Sequence, residues 1–150
     1  MNSPLHVEEV LREKGIYIST TVGNSMYPML RNRRDVVIIQ PVIEKPGKYD
    51  ILLYRRGKDY VLHRIVKVMP AGYVICGDNC LNKEYQVKDC QIIGVLRGFY
   101  RDDREVDMNS AGYRLYCRFW VSVYPARYVI KKVWITAKAL VMRMGKWTLK

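Results

Sequence analysis

Five short segments rich in Val, Ile and Tyr, all between residues 34 and 98, constrain the fold more than any other feature of the chain. Turn-forming stretches separate them, among them EKPGK, RRGKD, MPAG and GDN. β-branched and aromatic residues in runs of this length predict β-strands. Strands so short and closely spaced favour a small, strongly bent antiparallel sheet or partial barrel, so the expected fold class is mainly β. The predicted strands span residues 34–42, 50–56, 60–68, 73–76 and 91–97.

The two ends of the chain have the pattern of helices. PLHVEEVLREKG near the N-terminus predicts one short helix, with Gly15 at the position of a helix stop. Beyond residue 110, apolar residues recur at helical spacing, and Pro125 divides the stretch into two basic helices. The apolar face predicted for the first of these consists of Leu115, Tyr116, Phe119, Trp120 and Val123. We therefore expect a β domain with an N-terminal helix over residues 1–110 and a basic helical appendage over residues 111–150.

The net charge of +12 is concentrated near the C-terminus. Residues 113–150 hold nine Lys and Arg residues and no Asp or Glu, whereas residues 1–112 hold seventeen against fourteen acids. A basic helical pair with tryptophans is typical of a peripheral segment on an anionic membrane surface. The alternative is that the apolar faces pack on the β domain and the protein is cytoplasmic. No DNA-reading motif is present, so we expect no specific nucleic-acid partner.

Neither a spanning segment nor a cofactor is expected. No stretch approaches the ~18 uncharged apolar residues of a membrane span, and residues 1–22 contain five charged side chains, unlike a signal peptide or an anchor. Four cysteines are present but form no CxxC pair, which favours free thiols. A metal site built from Cys76, Cys80 and His63 is an alternative, although zinc sites rarely use this ligand spacing.

Three polar residues become a candidate catalytic set when they are taken together. Ser25 lies in GNSMYPML, and a serine hydroxyl is a weak nucleophile until a base removes its proton. His63 lies in YVLHRIVKV on the strand face of Val61 and Ile65, where an apolar side chain is expected. Asp78 lies in the turn-like GDN. Each has a structural explanation by itself: a turn serine, a hydrogen-bonded core histidine and a β-turn aspartate.

The ordered motifs GNSMYPML, YDILLY, LHRIV, CGDN and IIGVLRG resemble those of the signal peptidase I superfamily of serine endopeptidases. The resemblance covers about residues 20–100. His63 follows Ser25 by thirty-eight residues, and Asp78 follows His63 by fifteen, as the resemblance requires. It implies a β fold of the signal-peptidase type, cleavage of signal or leader peptides, Ser25 as the nucleophile and His63 as the base.

Within the superfamily, His63 followed by Arg64 resembles the histidine branch, the endoplasmic-reticulum and archaeal type, rather than the branch with a lysine base. An imidazole has an ordinary pKa near 6.5 and is already mostly neutral at pH 7, so it needs little burial to act as a base. The resemblance makes Asp78 the first choice for the acid that orients His63. Glu84, six residues later, is the second choice.

The residues around the serine depart from the superfamily pattern. Many members carry a serine two positions before the nucleophile that donates to the oxyanion, and this chain has Gly23 there. Backbone N–H groups near Ser25, together with Asn24, would have to replace that donor. Met26 resembles a residue on the floor of the cleft. Because of Gly23 and the missing N-terminal anchor, a non-catalytic peptide-binding module with the peptidase fold is the alternative function.

Overall fold

The structure is a computed structural model that describes residues 4–145, with side chains described for residues 7–142. Eight strands and three α-helices form within these residues. The strands are β1 (Tyr17–Thr20), β2 (Val36–Gln40), β3 (Ile51–Arg56), β4 (Asp59–Met69), β5 (Gly72–Cys76), β6 (Glu84–Val87), β7 (Ile92–Arg101) and β8 (Arg104–Val106). The helices are α1 (Pro4–Lys14), α2 (Ala111–Ser122) and α3 (Tyr124–Gly145), and a 3-10 turn spans Asp89–Gln91.

The sheet confirms the prediction of a mainly β fold. All strand pairs are antiparallel, and the strand order is β1-β2-β7-β3-β4-β5-β6, with β8 paired to β7. The five predicted strands correspond to β2, β3, β4, β5 and β7, although β7 continues to Arg101. The pattern missed β1, β6 and β8 because they are only three or four residues long.

Strand β3 lies near the middle of the sheet, and both of its faces are buried. Since side chains alternate between the faces of a strand, Ile51 and Leu53 enter one apolar cluster while Leu52 and Tyr54 enter a second one. Helix α1 covers the first cluster with Val7 and Leu11. Burial of each such side chain contributes about 1.5–3 kcal/mol. The centre of the sheet is therefore a rigid platform, and β4 places His63 directly opposite Leu52 on it.

Helix α2 packs on this platform, but not with the face predicted from the sequence. Tyr113 and Tyr116 pack against the first apolar cluster, and Cys117 is buried. Leu115 and Phe119, expected on the same apolar face as Tyr116, are exposed. The break between the helices agrees with the prediction, since α3 begins at Tyr124 and Pro125 falls in its first turn, where its missing N–H costs no hydrogen bond.

Most of the apolar residues of helix α3 are exposed to solvent. The exposed apolar side chains are Val129, Ile130, Val133, Trp134, Ile135, Leu140, Val141 and Met142. The alternative in which the apolar side chains of this helix pack on the β domain is thus wrong for these positions. In the part of the chain that the structure describes, no helix is both long and apolar enough to cross a bilayer. Residues 143–150 of the predicted membrane segment lie outside the described side chains.

Candidate active site

Ser25 lies in the loop between β1 and β2, and a partly buried ion pair supports that loop. Arg31 donates to Asp35 Oδ1 from Nε at 2.9 Å and from Nη2 at 2.6 Å, and Asp35 is fully buried. Gly23 adopts φ +97°, which a residue with a side chain rarely adopts. A serine at this position would be strained, and this conformation accounts for the glycine.

A second loop, residues 77–80 after β5, holds the Ser25 segment in place. The backbone N–H of Asn79 donates to the Ser25 carbonyl at 2.7 Å, and Nδ2 of Asn79 donates to the Asn24 carbonyl at 3.1 Å. Gly77 permits the close approach: a Cβ there would lie 2.7 Å from the Ser25 carbonyl oxygen and 2.9 Å from Nε2 of His63. The Ser25 carbonyl oxygen and Nε2 of His63 therefore both lie close to Gly77.

Ser25 and His63 line one open cavity of about 580 Å³. The end of β1 and the adjoining loop form one wall of it, and apolar side chains that include Met26, Leu30 and Leu53 also line it. His63 is only 4% exposed. The structure thus brings the predicted nucleophile and the predicted base, distant in sequence, to one cavity.

The hydrogen bonds around His63 define which ring nitrogen carries the proton. Tyr54 has a single hydroxyl proton and donates it to Oε1 of Glu84 at 2.7 Å. The same hydroxyl lies 3.2 Å from Nδ1 of His63, so the imidazole must be the donor at this contact. With its proton on Nδ1, neutral His63 presents an unprotonated Nε2 toward Gly77 and the serine segment, as a general base requires.

Burial lowers the pKa of His63 below its ordinary value of 6.5, so the imidazole is neutral at pH 7. Three charges also act on the ring: Asp78 raises the pKa of His63, and the neighbouring residues Glu84 and Arg56 act in opposite directions, Glu84 raising this pKa and Arg56 lowering it. These two residues also contact each other, with Arg56 Nη1 3.0 Å from Glu84 Oε1. Burial and hydrogen bonding to Glu84 raise the pKa of Tyr54, so its hydroxyl keeps its proton.

The structure reverses the expected order of the two acids. Asp78, the first choice, accepts from Arg64 with both carboxylate oxygens, at 2.8 Å from Nε and 2.7 Å from Nη2. Arg64 is fully buried and Asp78 is 4% exposed. Glu84, the second choice, has Oε1 3.5 Å from Nδ1 of His63 and is bridged to it by Tyr54. Asp78 therefore pairs with Arg64, and Glu84 is the carboxylate that the hydrogen-bond network connects to the imidazole.

The three residues predicted to surround the oxyanion or the substrate differ in their hydrogen bonds and in their contact with the cavity. The N–H of Gly23 is used by the Asn32 side chain at 2.9 Å, so Gly23 cannot donate to an oxyanion without breaking that bond. The carbonyl of Asn24 accepts from Tyr27 and Asn79. Met26 is buried and lines the cavity. Within residues 4–145 the N–H of Ser25 itself has no hydrogen-bond partner, which leaves it free to donate.

The thiol of Cys80 is the other reactive group beside His63. Its Sγ lies 3.9 Å from Nε2, and burial raises the pKa of this thiol, which keeps it protonated. Cys76 instead directs its Sγ toward backbone carbonyls, including that of Asn82 at 3.4 Å. Among the described side chains, no three form a group that could hold a metal, so the alternative site of Cys76, Cys80 and His63 is not assembled.

Comparisons with known proteins add no assignment to this site. No family model matches the chain, and no curated protein matches it. A proposal about function therefore depends on the geometry of the site and on the sequence motifs.

Two residues of the site escaped sequence reasoning. Tyr54 lies in YDILLY, where its alternation with Leu52 predicts only a buried apolar position. Arg64 is recognisable in the sequence as part of a histidine–arginine motif, but the sequence does not indicate that it pairs with Asp78. A tyrosine on a fully buried strand needs a polar partner for its hydroxyl, and that requirement is the one signal that could have identified Tyr54.

Proposed function

We propose that this protein is a serine endopeptidase with a fold of the signal-peptidase type, a partial barrel, and that it cleaves signal or leader peptides. The observation that carries the proposal is the set of contacts that join Glu84, Tyr54 and His63. The Glu84–Tyr54 pair holds Nδ1 as a donor and leaves Nε2 unprotonated beside the Ser25 segment. This arrangement is what activation of a serine needs.

The chemistry follows from these positions. Ser25 Oγ attacks the peptide carbonyl carbon while Nε2 of His63 takes the hydroxyl proton. The free N–H of Ser25 donates to the developing oxyanion. The imidazolium is stabilised by Glu84 through Tyr54, and it returns its proton to the leaving amine as the C–N bond breaks. Water, deprotonated by the same nitrogen, then hydrolyses the acyl-enzyme ester and releases Ser25.

An extended peptide fits the cavity. β1 is the terminal strand of the sheet, so one of its edges has no strand partner, and residues of β1 line the cavity wall. A peptide can add to such an edge through main-chain hydrogen bonds, and this mode is tolerant of sequence. The resemblance implies cleavage after a small residue, whose side chain would face apolar groups such as Leu53 and Met26.

Labelling with a fluorophosphonate tests the activity. We expect the probe to acylate the wild type at Ser25, because the neutral imidazole activates that hydroxyl, and not to label Ser25→Ala. Cys80→Ala is the matched control: it removes the other nucleophile beside His63 and should retain labelling. Mass spectrometry of the labelled peptide identifies the site. Equal labelling of wild type and Ser25→Ala would contradict the proposal.

A non-catalytic peptide-binding module is the second candidate. The observation that favours it is that Ser25 Oγ makes no hydrogen bond within the described residues. Hydrogen bonds between nucleophile and base are often long before substrate binds, so we rank this candidate second. It predicts no labelling of any variant, together with equal peptide affinity in the wild type and Ser25→Ala.

We also propose that α3 places the enzyme on an anionic membrane surface. Exposed apolar residues such as Val133, Trp134 and Leu140 share the helix with the exposed base Lys138. Apolar insertion combined with basic attraction is how amphipathic helices bind anionic lipid.

Flotation with lipid vesicles tests this placement. We expect the wild type to float with anionic vesicles more than with neutral ones. Lys138→Gln should bind anionic vesicles about fivefold more weakly, since each lysine near such a surface contributes about 1 kcal/mol. Lys45→Gln, at an exposed position in the β domain, makes the same charge change and should bind like the wild type. A wild-type protein that does not float with anionic vesicles would contradict the placement on a membrane surface.

A further inference from the structure

Side chains of α2 and α3 donate hydrogen bonds to the loop that holds the Ser25 segment and to the residue that follows it. Trp120 Nε1 and Arg127 Nη1 both donate to the Asp78 carbonyl, at 3.0 and 2.7 Å. Lys131 Nζ donates to the Asn79 carbonyl at 2.5 Å and to Oδ1 of the same residue at 2.7 Å. The Tyr124 hydroxyl donates to the Leu81 carbonyl. Four donors from the helices thus meet a run of loop carbonyls next to the candidate active site.

Asn79 connects the hydrogen bonds from the helices to the Ser25 segment. Its two acceptor oxygens face Lys131, and its two donor groups, the backbone N–H and Nδ2, bind the carbonyls of Ser25 and Asn24. Because Lys131 engages Oδ1, the amide nitrogen is turned toward Asn24. Removing the ammonium would allow the amide to rotate and would weaken the hold on the serine segment.

Lys131 differs from its neighbours on the same helix. Its side chain is half-buried and directed at Asn79, whereas Lys132 and Lys138 are exposed and lie over the rings of Tyr128 and Trp134. Arg127 lies over Trp120, with its guanidinium carbon 4.1 Å from the ring centroid. A cation fixed by an aromatic ring is a rigid donor. Lys131 and Arg127 therefore contact the loop, whereas Lys132 and Lys138 contact aromatic rings of their own helix.

We propose that Lys131 and Arg127 are positioning residues for Ser25, so that the C-terminal helices form part of the catalytic unit. This inference rests on the proposed peptidase activity and adds to it a requirement for α3. Displacement of a reacting atom by about 1 Å can cost about 10²-fold in rate. The two cations hold the loop that sets the serine position, while the Glu84–Tyr54 pair sets the imidazole independently.

Lys131→Met and Lys132→Met form the decisive pair, assayed on a soluble peptide without vesicles. They remove the same charge from adjacent positions of one helix. We expect Lys131→Met to lower kcat by about 10- to 100-fold with little change in KM, and Lys132→Met to stay within about twofold of the wild type. Lys131→Arg should recover most of the loss, because a guanidinium can donate to both oxygens of Asn79. The pH dependence should not change, since neither lysine contacts His63.

Hydrogen exchange at the Asn79 amide provides a readout that needs no activity. This N–H donates to the Ser25 carbonyl, so its protection should fall in Lys131→Met and persist in Lys132→Met. Equal kcat and equal Asn79 protection in the two variants would overturn the positioning role. If the wild type hydrolyses nothing and takes no fluorophosphonate, the peptidase proposal fails, and the exchange result alone then decides whether Lys131 holds the loop.

Discussion

Replacing His63 with alanine is expected to lower kcat/KM for peptide hydrolysis by about 10⁴- to 10⁶-fold, because the serine loses the group that accepts its proton. Glu84→Gln should cost less, about 10²-fold. An amide can donate as well as accept, so Gln at position 84 lets the Tyr54 hydroxyl reverse and donate to Nδ1. The imidazole would then carry its proton on Nε2, which is the wrong nitrogen for a base.

The pH profile adds a second readout of the same arrangement. Burial lowers the pKa of His63 below 6.5, so kcat/KM should fall only as the pH drops below that value and the imidazole gains a proton. Glu84 raises this pKa, and Arg56 lowers it. Glu84→Gln should therefore move the acid limb to lower pH, and Arg56→Gln should move it to higher pH.

Glu8→Gln is the matched control for Glu84→Gln. Glu8 also accepts from a tyrosine and an arginine, Tyr60 and Arg55, but among the described side chains none of these three hydrogen-bonds His63. The same chemical change there should leave both kcat/KM and the acid limb close to those of the wild type. An acid limb that responds equally to the two substitutions, or to neither, would contradict the role of Glu84.

Asp78→Asn is expected to lower the free energy of unfolding by about 3–5 kcal/mol, because it leaves the buried Arg64 guanidinium without a counter-charge. Both carboxylate oxygens of Asp78 now accept from Arg64, which has no exposed surface. Denaturant unfolding followed by tryptophan fluorescence measures the change. Glu84→Gln, at a half-exposed carboxylate, should change the unfolding free energy by less than about 1 kcal/mol.

The double variant Arg64→Met/Asp78→Leu separates charge from shape. Replacing both members of a buried ion pair with apolar groups is often close to neutral, so the double variant should be more stable than Asp78→Asn. An Asp78→Asn protein as stable as the wild type would mean that the pair contributes little and that Asp78 is free for another role. Stability and activity measurements on the same variants thus distinguish the two acids.

Much of the sheet was predictable because its central strands have strong patterns. Residues 51–54 and 73–76 are apolar runs that include β-branched and aromatic side chains and are bounded by turn signals. β1 and β6 contain only four residues each and are held by pairing with their neighbours rather than by composition. The orientation of α2 also depended on packing, since helical spacing alone does not say which of two apolar flanks meets the sheet.

Within the site, local motifs identified Ser25 and His63 but not the network that orients them. Tyr54 and Glu84 lie thirty residues apart and meet only because β3 and β6 fold toward the same imidazole. Lys131 was one basic residue among nine near the C-terminus, and only its contact with Asn79 distinguishes it. These assignments depend on distances between groups that are remote in the chain.

By itself, the sequence determined that this chain would form short antiparallel strands flanked by helices, and that one serine and one histidine stand in a recognisable order. Those properties arise from local pattern, which side-chain shape and turn chemistry dictate over a few residues. Only the tertiary structure decided which carboxylate faces the imidazole and which neutralises Arg64, because Coulomb and hydrogen-bond energies depend on separations of a few ångströms. The same short range explains why the basic C-terminal helices proved to touch the loop beside Ser25.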